Sequence, residues 1–96
     1  MIVELKTGNG IYGINMSPRD YFSAAHYLLG GLNNGKQFGE LNIGLDERYN
    51  LYGGEAIIFT DDLIMKGLIE VNKDGFSVSE TGKIHLINLD TIVDGI

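Results

Sequence analysis

The sequence predicts an α+β fold built as a single small domain, and three observations lead to this prediction. The chain has 96 residues, the size of one domain, and 44% of them are hydrophobic, as in ordinary globular proteins. Glycine-containing turns at 8–10 and 74–75 each lie between short apolar segments, a pattern typical of β-hairpins. Between these turns, the pair Ser17-Pro18 opens a segment with the apolar spacing of a helix.

The N-terminal hairpin is predicted from residues 2–6 and 11–16, with Gly8-Asn9-Gly10 as the turn. Together with Gly13, the turn also spells Gly-x-Gly-x-x-Gly, the fingerprint of a dinucleotide site. That site requires a helix directly after the motif, where the helix dipole holds the pyrophosphate. Residues 14–18 cannot open a helix at once, so no cofactor is predicted here.

A core helix is predicted after this hairpin, with Ser17 as its cap and Asp20 at the position of a capping-box acid. We expect it to end within 30–35, where Asn33-Asn34-Gly35 is a good stop signal. Apolar residues with helical spacing define its buried face: Tyr21, Ala25, Leu28 and Leu32, with Phe22 and Leu29 beside them.

The polar middle of the chain gives a weaker pattern. Leu41, Ile43 and Leu45 alternate with polar or small residues, which indicates a short strand. Residues 46–54 are then predicted to form an exposed connection that carries two tyrosines. Tyrosines beside carboxylates are typical contact residues, because the ring buries area while the hydroxyl tolerates water. Tyrosines packed at the surface without a partner remain the simpler interpretation.

Segment 55–66 fits two structures. It is either one helix that ends at Gly67, or a strand at 56–59 followed by a short helix capped by Thr60. The single helix is favoured. Its inward face is then expected to hold Ala56, Ile57, Leu63 and Ile64, and its outward face Ile58 and Met65 beside Asp61 and Asp62. Exposed aliphatic residues ringed by carboxylates are typical of interfaces.

The C-terminal part predicts a second hairpin, with strands at 68–71 and 76–79. Ser79-Glu80-Thr81-Gly82 can then start a last helix or turn, and the state of the residues beyond stays open.

Residues 63–86 resemble winged-helix domains, in which a leucine-rich helix precedes Gly-Leu-Ile, a hairpin, an aromatic residue and Ser/Thr-Glu-x-Gly. The resemblance covers about a quarter of the chain and implies a winged-helix-like C-terminal half.

Winged-helix domains mostly bind DNA through the helix before the wing, so the resemblance implies that role for segment 55–66. In this sequence that segment carries Glu55 and two adjacent aspartates, with Lys66 as its only base. Helices that lie in a major groove normally bring Arg, Lys, Asn or Gln to bases and phosphates. The sequence departs from the family at the residues that would perform its usual function.

The net charge of −6 disfavours nonspecific binding of nucleic acid, because the field of the chain repels phosphates. Residues 40–62 carry −5 of this charge, with Arg48 as their only base. A solvated face explains such a window, and a surface that meets a basic partner is the functional alternative. The acids concerned are Glu40, Asp46, Glu47, Glu55, Asp61 and Asp62.

Several classes of protein are excluded by what the chain lacks. It has no cysteine, so disulfides and thiolate metal sites are excluded, and a reducing cytoplasm fits. Its longest apolar run is four residues, 56–59, which predicts no membrane span, and no signal peptide is visible. His26 and His85 lack the spacing of a metal site or of a catalytic triad. We therefore expect neither an enzyme nor a metal or cofactor site.

In its small size, its acidity and its lack of cysteine, the sequence resembles bacterial immunity proteins, including those of contact-dependent growth inhibition systems. This resemblance implies a cytoplasmic inhibitor that neutralises a cognate basic toxin domain, such as a ribonuclease or deoxyribonuclease, by covering its active site. Replacing Asp61 and Asp62 with lysine should then weaken binding without unfolding the domain. The candidate partner-binding residues are Asp46, Glu47, Tyr49, Tyr52, Glu55, Ile58, Asp61, Asp62 and Met65.

The alternative function is that of a winged-helix DNA-binding transcriptional regulator. It requires a dimer that concentrates basic residues on one face. The residues concerned are Arg19, Lys36, Lys73 and Lys83.

Overall fold

The N-terminal hairpin is formed as the turn sequence predicts. In the computed structural model, which describes residues 2–94, β1 (Ile2–Thr7) pairs antiparallel with β2 (Gly10–Asn15), and Thr7 lies opposite Gly10. The Thr7 hydroxyl closes the turn, because it accepts the Asn9 N–H and donates to the Gly10 carbonyl, both at 3.1 Å. Gly10 has φ +135°, a backbone conformation that residues with a Cβ rarely adopt.

The core helix α1 (Pro18–Asn33) also begins and ends as predicted. The Ser17 hydroxyl accepts the Asp20 N–H at 3.0 Å, which satisfies one of the free amides of the first turn. Its buried face holds Ala24, Ala25, Leu28, Leu29 and Leu32. This helix is central to the fold and packs against α2 (Phe38–Tyr49) and α4 (Glu80–Asp94).

Helix α2 stands where the sequence analysis placed a short strand, and that prediction is wrong. Leu41 and Leu45 are both buried, as residues four apart on one helix face are, whereas Ile43 is exposed. Two glycines let α2 approach α1 closely: a Cβ on Gly31 would collide with Leu41, and one on Gly44 with Tyr27. Tertiary packing therefore outweighs the low helix propensity of a segment with two glycines of its own.

The predicted connection at 46–54 is shorter than expected, because its first four residues belong to α2. Helix α2 ends at Tyr49 and is capped by Asn50, which adopts a left-handed conformation with φ +56°. Leu51 is then buried in the core. Only a short connection, 50–54, leads to α3 (Glu55–Met65).

The C-terminal half consists of a helix, a hairpin and a last helix, which the sequence had left open between a helix and a turn. Segment 55–65 is one helix, α3, which confirms the favoured interpretation over the strand. The chain leaves α3 through Gly67, at φ +75°, and β3 (Ile69–Asn72) pairs antiparallel with β4 (Gly75–Val78). The Ser79 hydroxyl then accepts the Gly82 N–H at 2.9 Å and donates to the Gly67 carbonyl at 2.6 Å. One side chain thus caps α4 and anchors it to the end of α3.

The described part of the chain contains four helices and two separate two-stranded hairpins, which confirms the α+β prediction. The core draws apolar side chains from all four helices and from both hairpins. Its largest fully buried apolar members are Leu5, Leu28, Leu29, Leu41, Leu45, Leu51, Phe59, Leu63 and Leu89.

Candidate protein-binding surface

Asp62 was a predicted contact residue, and the structure places it in the interior with none of its surface exposed. Its Oδ1 accepts the Lys6 N–H at 2.8 Å, and its Oδ2 accepts the Tyr21 hydroxyl at 3.0 Å and Lys66 Nζ at 2.7 Å. A buried carboxylate needs such donors, because it has lost its hydration shell. Asp62 therefore joins β1, α1 and α3, and it is not available to a partner.

Tyr21 and Lys66 complete this internal cluster, since Lys66 Nζ also donates to the Tyr21 hydroxyl oxygen. Burial raises the pKa of Tyr21 above its ordinary value. Burial alone would lower the pKa of Lys66, but its hydrogen bonds to Asp62 and Tyr21 favour the ammonium form and leave the pKa raised. The only base of α3 and its C-cap is thus held by this cluster, although about half of its side chain stays in water.

Two further predicted contact residues are also withdrawn from the surface. Tyr49 is half-buried beside Tyr27, with 6.4 Å between ring centroids, and burial raises the pKa of its hydroxyl. Ile58 is partly buried and packs on the hydrophobic core. Both were expected to be exposed. Tyr49 was assigned to an exposed connection and not to α2, and Ile58 was placed on the outward face of α3.

The actual rotation of α3 exposes a different set of aliphatic side chains. Ile57, which was expected to face inward, is 58% exposed, and so is Met65, whose exposure was correctly predicted. Asp61 and Ile64 are partly exposed between them. These four residues are spaced i, i+4, i+7 and i+8, so they share one side of the helix. We call Ile57, Asp61, Ile64 and Met65 the α3 face.

An apolar groove of about 290 Å³ lies beside the α3 face. Phe38, from the start of α2, and Phe76, from β4, meet edge to face with 4.7 Å between ring centroids and form one wall. Ile57, Thr60, Asp61 and Ile64 form the other wall. The groove is near the lower end of the range for ligand pockets, so it fits a side chain better than a large cofactor.

The acidic residues of 40–62 lie on the two helices that border this groove, α2 and α3. Apart from Asp62, each of them keeps at least part of its surface in water. None of these other acids forms an ion pair with any residue in 2–94. Arg48, the only base in the window, lies 4.9 Å from the Tyr27 ring centroid instead. The negative charge of this region is therefore not neutralised within the described structure.

Tyr52 and Glu55 remain together at the surface, as predicted. The Tyr52 ring is 63% exposed, and its hydroxyl donates to Asn50 Oδ1 at 2.9 Å. The Tyr52 N–H donates to Glu55 Oε1 at 3.0 Å. Asp46 is half-buried and Glu47 is exposed, both near the end of α2.

His26, Ser17 and Ser79 each have a partner within the fold. His26 on α1 pairs with Asp90 on α4 at the protein surface, and Ser17 and Ser79 are helix caps. Among the residues that the structure describes, no group of three acids or histidines is placed to hold a metal ion. No helix of residues 2–94 has the length and apolar character needed to cross a membrane.

Sequence reasoning missed the two phenylalanines and Ile57. Phe38 and Phe76 lie 38 positions apart in the chain, so no local pattern could have paired them. The run Ile57-Ile58 gave no decisive signal, because adjacent residues on a helix can both face the core; in the structure Ile58 is the more buried of the two.

The chain matches no protein-family model, and comparisons with curated proteins and with solved structures found no significant match. The winged-helix and immunity-protein resemblances therefore stay predictions.

Proposed function

We propose that this chain is a small cytoplasmic inhibitor of the immunity or antitoxin type, and not an enzyme. It binds a cognate basic toxin domain, a nuclease, and covers its active site. The α3 face and the apolar groove supply the anchor, and the acids of α2 and α3 supply the electrostatic attraction.

The observation that carries this proposal is the character of the α3 face. In a winged-helix protein this helix would meet DNA, but here its exposed side holds Ile57, Met65 and the carboxylate of Asp61. Lys66, the one base beside them, is held by Asp62 and Tyr21. An exposed apolar patch with an acidic rim favours a protein partner that brings an apolar side chain next to a base.

Charge complementarity favours a nuclease as that partner. Nucleases line their active sites with basic groups that hold phosphates, and carboxylates can occupy the same positions. Apart from the buried Asp62, the acids of 40–62 are free of ion pairs within residues 2–94, so binding would not first have to break such pairs. The net charge of −6 also accelerates the encounter with a basic domain at low salt.

The test begins with affinity capture from the native cells at low salt, followed by a salt step and analysis of both protein and nucleic acid. The captured basic protein is purified, and its cleavage of DNA and RNA is measured with equimolar wild-type chain, Ile57→Lys or Ile84→Lys. Ile84 is a matched control, because it is a similarly exposed isoleucine, at 62%, on α4. Both variants add the same charge at the surface.

We expect the wild type and Ile84→Lys to abolish cleavage, and Ile57→Lys to bind at least about tenfold more weakly, since it puts a base on the contact surface. Three results would contradict the proposal. In the first, the captured protein keeps its activity in the complex, and in the second, Ile57→Lys inhibits as well as Ile84→Lys does. In the third, specific DNA elutes without a stoichiometric protein, which indicates the winged-helix regulator instead.

A further inference from the structure

The two outer edges of the N-terminal hairpin are covered differently. On the β1 side, the Lys6 N–H donates to Asp62 Oδ1 at 2.8 Å, and the Gly8 N–H in the turn reaches Asp61 Oδ2 at 3.4 Å. On the β2 side, no hydrogen bond to any described residue outside the hairpin involves Ile11 or Gly13. Helix α3 thus caps the β1 edge, whereas the β2 edge has no such cover from the described residues at Ile11 and Gly13.

The register shows which backbone groups the open edge presents. Lys6 lies opposite Ile11, and its N–H points towards α3, so these two residues form a non-hydrogen-bonded pair. The pairing alternates, so Glu4 and Gly13 form the next pair of this kind. Backbone groups in such pairs point away from the partner strand. The N–H and C=O groups of Ile11 and Gly13 therefore face outward from the hairpin.

Strand β2 has none of the usual protection of an exposed edge. Natural proteins place lysine, proline or a bulge on such strands, because open edges pair with other chains. Residues 10–15 contain no charge and no proline, and they pair with β1 in unbroken register. Ile11 is 63% exposed on this strand. An edge of this kind is suited to the addition of another strand.

We propose that β2 pairs antiparallel with β2 of a second copy of this chain, on a twofold axis that passes by Tyr12. The two hairpins then form one four-stranded sheet. In this register Ile11 lies opposite Gly13 of the other copy, and each such pair exchanges both of its N–H···O bonds. Gly13 has no side chain at this position, and the neighbouring side chain on the same face is that of Ile2.

The unprotected edge itself points to a second copy as the occupant, because such edges pair with one another. Each chain carries −6, so the repulsion between two copies is smallest where they meet away from their acidic helices. The acid-rich helices α2 and α3 follow the hairpin in the chain, and α3 covers the opposite edge, at β1. Residues 2–15 contain only Glu4 and Lys6 as charged residues, and these cancel. A basic partner is attracted to the acids instead, and gains nothing from an uncharged edge.

The test compares the mass in solution of the wild type, Ile11→Lys and Val71→Lys by sedimentation equilibrium over about a hundredfold dilution series. Val71 is a matched control, because it is 62% exposed on β3, in the other hairpin. We expect a wild-type mass twice that of one chain, which falls on dilution, and the same behaviour for Val71→Lys. Ile11→Lys should be monomeric, with an unchanged circular dichroism spectrum, because lysine is tolerated on a free edge.

Amide hydrogen exchange of the wild type locates the interface without any substitution. The Ile11 and Gly13 amides should exchange at least about tenfold more slowly at high than at low concentration, because only the dimer protects them. The proposal is overturned if the wild type is monomeric throughout the series, or if Ile11→Lys is as dimeric as Val71→Lys. Concentration-independent exchange at both amides would equally refute it.

Discussion

Replacing Asp62 with asparagine should destabilise the domain far more than the same change at its neighbour Asp61. Asparagine keeps the shape of the side chain but exchanges one acceptor oxygen for an amide donor. That donor would face either the Lys6 N–H, or the Tyr21 hydroxyl and Lys66, all of which are donors to the carboxylate in the wild type. At least one donor in the interior is then left without an acceptor.

The size of the effect follows from these contacts. Hydrogen bonds to a charged group contribute about 1.5–3 kcal/mol each, whereas the half-exposed Lys66 can return to water at little cost. We therefore expect Asp62→Asn to lower the free energy of unfolding by about 2–4 kcal/mol. For a domain of this size that lowers Tm by about 10–25 °C. Asp61 receives one long contact, from the Gly8 N–H at 3.4 Å, so Asp61→Asn should cost less than about 0.5 kcal/mol.

Urea unfolding at pH 7, followed by circular dichroism, measures both variants against the wild type. A loss of less than about 1 kcal/mol for Asp62→Asn, or a loss no larger than that of Asp61→Asn, would refute this reasoning. The burial of Asp62 also corrects the expectation that replacing Asp61 and Asp62 with lysine weakens binding without unfolding the domain. A lysine at 62 would place a second cation beside Lys66 in the interior, and the domain should unfold.

Two further predictions concern pH and packing. Because the folded-state pKa values of Lys66 and Tyr21 are both raised, the folded state holds these protons more tightly than the unfolded state does. Stability should therefore be unaffected by these groups below about pH 9 and should fall as the pH rises through about 10 and beyond, which urea unfolding across this pH range checks. In α1, Gly30→Ala should raise the free energy of unfolding by about 0.5–1 kcal/mol, because its Cβ would meet open space. Gly31→Ala should lower it by about 1–3 kcal/mol, because the Cβ would collide with Leu41, and thermal unfolding of the two variants side by side checks both signs.

The elements that the sequence predicts correctly are those encoded by short-range signals. A two-residue turn next to glycine fixes the register of each hairpin, and a serine cap followed by proline fixes the start of α1. These signals act within a few residues, so the rest of the fold is not needed to interpret them. The second hairpin was predictable for the same reason, whereas the last helix stayed open between a helix and a turn.

Helix α2 was not predictable in this way, because its stability depends on contacts between helices. Its Gly44 would weaken an isolated helix, yet here the missing side chain is what lets Tyr27 pack against the backbone. Asp61 and Asp62 illustrate the same limit at the candidate site. The two residues are chemically identical and adjacent, and only the positions of Lys6 and Tyr21, more than forty residues away in the chain, distinguish a buried acid from an exposed one.

The two proposed surfaces can be tested separately because the fold keeps them apart. The dimer uses the outer edge of β2, whereas the α3 face belongs to the helix that covers the outer edge of β1. Asp62 links the two, since it holds β1 against α3, so a substitution there would disturb both functions through the fold itself. Ile11 and Ile57 are exposed and make no such link. If Ile11→Lys is monomeric and still inhibits the partner, while Ile57→Lys is dimeric and does not, the two surfaces act independently.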